Sequence, residues 1–237
     1  MKFILIIILA ASALFSAAQS NTTVKRKIDD KTVVVDSSGM QYIYAVWVKL
    51  FQTGDYGLKA VNPADETSPM LLYKLTEEEK QKRDEKAPMP KESKFFTTGA
   101  EFGSFKLKNM KGKKFDSKSL KDKVVIFNFW FINCPPCKTE IPHLNKVVEE
   151  FKDKDVVFIA VALDQYNELQ DFLEKTPFNY EIIDDGRSFA AYYGITSYPT
   201  HVVIDKQGKI AYHTSGLSTG TIPWLKKTIT SLLETKN

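Results

Sequence analysis

The only two cysteines of this chain, Cys134 and Cys137, stand three residues apart with Pro135 and Pro136 between them. Two thiols at that spacing can close a small disulfide and exchange two electrons with another dithiol or disulfide. The pair directly follows an apolar run, 123–130, and opens a stretch of helical period, 135–152. A cysteine at a helix N-cap faces the positive end of the macrodipole and the free N–H groups of the first turn. Both favour thiolate, the nucleophilic form. Cys134 is therefore expected to attack, and Cys137, one turn along and more interior, to resolve. Pro135 and Pro136 lack N–H groups and pre-set helical φ. Only the N–H of Cys137 then remains for the Cys134 sulfur. A less stabilised thiolate makes the disulfide harder to reduce and the dithiol a better electron donor.

These residues must be held by buried strands and packed helices. The runs 123–130 (KVVIFNFW) and 155–163 (DVVFIAVAL) read as strands buried on both faces. The stretch 135–152 repeats apolar residues along one side (Ile141, Leu144, Val147, Val148, Phe151). Downstream, helices are expected at 168–175, 187–193 and 223–234, and strands at 180–183, 201–205 and 209–213, the last two a hairpin around Gln207-Gly208. A second hairpin, 104–108 with 113–115, turns at Gly112. The alternation implies an α/β fold with a mixed sheet and helices on its faces.

Residues 19–94 read differently. The runs 31–36 and 41–51 are rich in β-branched and aromatic residues around Ser37-Ser38-Gly39, so a β-hairpin or small meander is expected. Its aromatics Tyr42, Tyr44, Trp47 and Phe51 are assigned to the core of that small sheet. Residues 76–86 form a charged, solvated helix with Thr76 as N-cap and Glu79 completing a capping box. Ala87–Pro90 ends it, and the domain boundary is placed near residue 94.

The first 18 residues have the form of a secretory signal peptide. Lys2 precedes a charge-free run to Ala18, with small residues at Ser16 and Ala18, and the run is shorter than a spanning helix needs. Cleavage near Ala18 exports the chain; an uncleaved leader would anchor it. An exported chain usually meets an oxidising compartment. Its two cysteines are too few for a disulfide scaffold, which leaves the pair to chemistry. The 237 residues, 43% hydrophobic and 26% charged with net charge +4, exclude wholesale disorder and a polytopic membrane protein. No basic block exceeds Lys25-Arg26-Lys27, which argues against nucleic acid.

The motif in this setting resembles the thioredoxin-fold family, and more narrowly the exported TlpA/ResA-type thiol–disulfide oxidoreductases. Asn128-Phe129-Trp130, Cys134–Cys137, Lys138-Thr139-Glu140-Ile141-Pro142 and Tyr198-Pro199-Thr200 carry the match, over about 95–237. The resemblance implies a thioredoxin-like domain after a small β-rich N-terminal segment. It implies a cis Pro199 against the cysteines and a substrate surface from Trp130, Pro135, Pro136, Tyr198 and Pro199. Tyr198 is bulkier than the residue common there, Asn133 replaces a Trp, and Asn128 stands where cytosolic thioredoxins carry a buried Asp. Pro142 is structural, a kink within the helix. Glu140 matches a carboxylate that tunes the thiols. At helical spacing it lies one turn below Cys137, where it would raise thiol pKa values and exchange a proton with Cys137.

The implied function is protein-disulfide reduction through the dithiol, in cytochrome c maturation or repair of misoxidised proteins. No cofactor beyond the redox-active disulfide is implied. The partners are disulfide-containing exported proteins and a membrane electron donor, and the chain acts as a monomer. The same fold could serve a dithiol oxidase or isomerase. A copper- or zinc-binding metallochaperone would have to add His143, His201 or His213 to the cysteines, and no metal ligand set is assigned. A peroxidase needs Thr three residues before its attacking Cys, where Phe131 stands.

Overall fold

A computed structural model describes residues 26–235. The expected signal peptide and its cleavage site lie outside the described residues. Among the described residues no helix is long and apolar enough to cross a membrane. Of the described residues, compact unit 1 comprises 26–47 together with Leu58–Tyr73, and unit 2 comprises Val48–Gly57 and 74–235.

In the N-terminal part, β1 (Val34–Val35), β2 (Gln41–Tyr42), β3 (Tyr56–Ala60) and β4 (Met70–Lys74) form a sheet in the order β2-β1-β4-β3. β1 and β2 make the expected hairpin, with Val34 opposite Tyr42. The second run departs from expectation after two residues, because α1 (Tyr44–Gln52) is a helix and not a strand. Its β-branched and aromatic residues favour strand locally. Its apolar positions Tyr44, Trp47, Val48 and Phe51, however, recur at i, i+3, i+4 and i+7, the spacing of one helical face. Trp47 is buried with Tyr44 edge-on to it, whereas Tyr44 and Phe51 stay largely exposed. Packing across a sheet is therefore not the role of these aromatics. α2 (Glu77–Glu85) carries the expected capping box between Thr76 and Glu79. It is also tied down, for Lys80 pairs with Asp55 at 2.7 Å.

Unit 2 continues with the hairpin β5 (Lys106–Lys108) and β6 (Lys114–Asp116). Then come β7 (Val124–Trp130), α3 (Pro135–Glu150), β8 (Val156–Ala162), α4 (Tyr166–Lys175), β9 (Glu181–Ile183), α5 (Arg187–Tyr192), β10 (Thr200–Ile204), β11 (Ile210–Ser215) and α6 (Thr221–Glu234). The five strands order as β11-β10-β7-β8-β9. β7, β8 and β9 run parallel, and β10 is antiparallel to both β7 and β11. This is the mixed sheet that the alternation implied.

Every residue of β7 and of β10 is buried, because both strands are central and both sheet faces are covered. Successive side chains still alternate between the faces. Val124, Ile126 and Trp130 of β7 pack in the cluster that includes Ile141, Leu144 and Val147 of α3 and Leu225 and Ile229 of α6. Val125, Phe127 and Phe129 pack on the other face with Phe102, Phe105 and Ala190. Each large side chain so buried contributes about 1.5–3 kcal/mol of transfer free energy. Asn128 falls on the α3 face by this alternation, and so does His201, whose strand neighbour Val203 packs there. The two are direct cross-strand partners in the β7–β10 register.

Candidate active site

Cys134 is the N-cap of α3, with extended backbone (φ −96°, ψ 101°), and Pro135 and Pro136 occupy N1 and N2. The loop before it is pinned at two points. Cys134 N–H donates to the Phe131 carbonyl at 3.2 Å, and Ile132 N–H donates to the Asp164 carboxylate at 2.8 Å. Cys134 and Cys137 are joined as a disulfide. The Cys137 N–H donates to the Cys134 sulfur at 3.3 Å. That is the one first-turn donor which the two prolines leave available. Cys134 and Cys137 are 3% and 2% exposed, so Cys137 is not appreciably the more interior of the two. What distinguishes them is the cap: the helix terminus acts on Cys134.

The Tyr198–Pro199 peptide bond is cis. Tyr198 is half-buried, its hydroxyl donates to the Ile195 carbonyl at 3.1 Å, and its ring meets Phe131 edge-on at 5.4 Å between centroids. Pro199 is buried, and its carbonyl accepts from Gly216 N–H at 2.8 Å. Pro135 is exposed and Pro136 half-buried. Trp130 departs from expectation. It has no exposed surface, and its ring packs against Phe172 and Phe178. As the last residue of β7 it alternates inward under α3 and packs in the core.

Glu140 is 1% exposed, on the buried side of α3 with Cys137 and Ile141. Its Oε1 accepts from His201 Nε2 at 2.7 Å and from Asn128 Nδ2 at 3.3 Å, while Oε2 has no partner among the described residues. The carboxylate also acts on two tyrosines. Burial pushes the Tyr180 hydroxyl well above its ordinary value, and the charge of Glu140 adds to it. Burial likewise raises Tyr212, and Glu140 adds a smaller share. A first-turn acid merely favoured by the helix dipole would lie in water; this one is enclosed and hydrogen-bonded by two strands.

His201, considered from the sequence only as a metal ligand, is instead the partner of Glu140. The buried strands 124–130 and 200–204 carry polar residues, Asn128 in the first and Thr200 and His201 in the second. The histidines do not gather. His143 meets the Gln52 carbonyl at 2.8 Å, His201 meets Glu140, and His213 accepts from Ser93 N–H at 3.1 Å. Among the described residues no three His, Cys, Asp or Glu side chains are grouped to hold a metal ion.

The AhpC/TSA family model matches residues 98–213, from the strap before β5 to β11. The thiol-disulfide oxidoreductase ResA of Bacillus thuringiensis is 33% identical over 123 residues, covering 51% of this chain and 71% of that protein. The chain belongs to the ResA family of thiol–disulfide oxidoreductases. Thioredoxin-like protein YneN of Bacillus subtilis matches this ResA-family chain with 32% identity over 116 residues, 47% of it and 68% of the relative. Among solved structures, a putative thiol:disulfide interchange protein DsbE from Chlorobium tepidum superposes with a TM-score of 0.54 at 25% identity. It covers 58% of the ResA-family chain and 99% of its own. A putative protein disulfide isomerase from Bacteroides thetaiotaomicron shares the fold, with a TM-score of 0.55 at 23% identity over 62% of this chain and 96% of that one. The chemistry of the family is thiol–disulfide exchange, and Cys134 and Cys137 are the two cysteines that the sequence holds.

Proposed function

We propose that this oxidoreductase is exported and works mainly as a reductase of protein disulfides. Its thioredoxin-like domain, 95–237, would carry the chemistry, and residues 19–94 would precede it as a separate segment after a cleaved leader. The observation that carries the direction is the single N–H at the Cys134 sulfur, from Cys137 at 3.3 Å. A sulfur with one donor where a helix terminus could give two is a poorer thiolate, and a poorer thiolate lowers the reduction potential of the pair.

Reduced Cys134 attacks a substrate disulfide as thiolate, and one substrate sulfur leaves as thiolate. Cys137 then attacks Cys134 in the mixed disulfide, closing the internal bond and releasing the second substrate thiol. Pro135 and Pro136, between the two cysteines, together with Tyr198 and Pro199 would receive the substrate segment. The substrates are disulfide-containing exported proteins, and nothing beyond the disulfide itself is needed as cofactor. A membrane electron donor recharges the oxidised pair in a compartment without its own thioredoxin reductase. Cytochrome c maturation and repair of misoxidised proteins both fit this chemistry.

The Cys137→Ala variant, expressed with its own leader, should hold substrates as mixed disulfides on Cys134 that mass spectrometry can name. A folded variant that traps no thiol partner would remove the reading. A measured potential near the −120 mV scale of strong oxidants, rather than about −270 mV or below, would reverse the direction.

A further inference from the structure

We propose that His201 is a positioning residue for the dithiol chemistry, acting through Glu140; this rests on the reading above that Cys137 resolves the mixed disulfide. His201 is fully buried on β10, and its Nε2 lies 2.7 Å from Glu140 Oε1. A carboxylate only accepts, so the proton of this bond belongs to Nε2. Asn128, its cross-strand partner on β7, donates to the same Oε1 at 3.3 Å. Both strand donors therefore converge on one oxygen of a carboxylate that α3 presents three residues after Cys137. The other oxygen, Oε2, is buried and has no hydrogen-bond partner among the described residues. Besides Cys137, the titratable groups around Glu140 are His201 from β10, Tyr180 just before β9 and Tyr212 from β11.

This arrangement fits a proton acceptor for the resolving thiol. Cys137 S–H must lose a proton before it can attack. Its proton passes to the Glu140 carboxylate, its sulfur forms the bond to Cys134, and the Cys134–substrate bond breaks with its electron pair on the substrate sulfur. Two electrons have then left the dithiol for the substrate, and the protonated Glu140 returns its proton when the pair is next reduced. His201 fixes the carboxylate in position between these events. Without the Nε2–H donor the buried carboxylate loses the hydrogen bond that holds it, and it would turn away.

The test is site-specific alkylation of reduced protein across pH, read at Cys137 by mass spectrometry, for His201→Leu, His201→Gln, Glu140→Gln and the two double variants. Loss of the charge beside the thiol should move the Cys137 midpoint down by about one pH unit in Glu140→Gln, about tenfold in thiolate fraction at fixed pH. His201→Leu should move it in the same direction, His201→Gln, which keeps an N–H donor, should move it less, and neither should add anything in the Glu140→Gln background. A folded His201→Leu with the wild-type Cys137 titration would overturn the proposal. If that variant does not fold, His201→Gln decides: a shift that simply adds to that of Glu140→Gln overturns it equally. Failure of the mixed-disulfide trap with Cys137→Ala would instead strike at the reductase reading, so the two can fail separately.

Discussion

The backbone N–H of Cys137 reaches the sulfur of Cys134 at 3.3 Å, and the two residues between them have no N–H to offer. A cap that could lend two donors to its sulfur is thereby reduced to one.

Replacing Pro136 with Ala supplies an N–H at N2 without altering the helix start. One added hydrogen bond to a sulfur anion is worth about 1 kcal/mol. For a two-electron couple, that should raise the reduction potential by about 20 mV. Equilibration with glutathione buffers measures it; a potential that stays fixed or falls would detach the double proline from the redox direction.

Glu140→Gln keeps the size of the side chain and an acceptor oxygen for His201 and Asn128, but removes the charge. Reductase turnover should fall most at the pH where Cys137 must be deprotonated by its neighbour. The kcat profile should therefore steepen with pH. An unaltered pH–rate profile would take Glu140 out of the catalytic machinery and leave it a buried polar contact.

His213 sets one part of the acid stability. Burial holds its pKa below the ordinary value of 6.5, with Glu92 opposing weakly, and its Nδ1 accepts from Ser93 N–H. A protonated Nδ1 can no longer accept, so the native fold holds the neutral ring. Above about 6.5 both folded and unfolded chains carry neutral histidine and stability is complete. As pH falls below that, the unfolded chain takes up the proton first, and stability declines until the folded value is passed. Denaturant unfolding at stepped pH should show this slope, and His213→Leu should flatten it. An identical acid slope in the variant would assign the effect to other groups.

Trp130→Phe tests the core assignment of that residue. It removes ring volume beside Phe172 and Phe178 together with a buried indole N–H that has no partner among the described residues. We expect a loss of stability of about 0.5–3 kcal/mol and no change in kcat/KM for a disulfide substrate. A changed kcat/KM with unchanged Tm would return Trp130 to the substrate surface.

The sequence by itself determined the chemistry. Two cysteines at this spacing, two prolines between them and a buried strand before them specify a capped dithiol, because capping and proline geometry are local. It also determined the succession of elements through 95–237, where hydrophobic runs and helical period are unambiguous. It misled at 43–51, where β-branched residues favour one state and the apolar spacing another; there packing decides, with Trp47 buried in a helix. The partnership of Glu140 with Asn128 and His201 belongs to tertiary structure. These residues lie 12 and 61 positions from Glu140, on central strands buried on both faces. A strand of that kind has no polar face to mark which way its side chains point. Only the register of β7 with β10, and the docking of α3 above them, brings two polar side chains to one carboxylate oxygen.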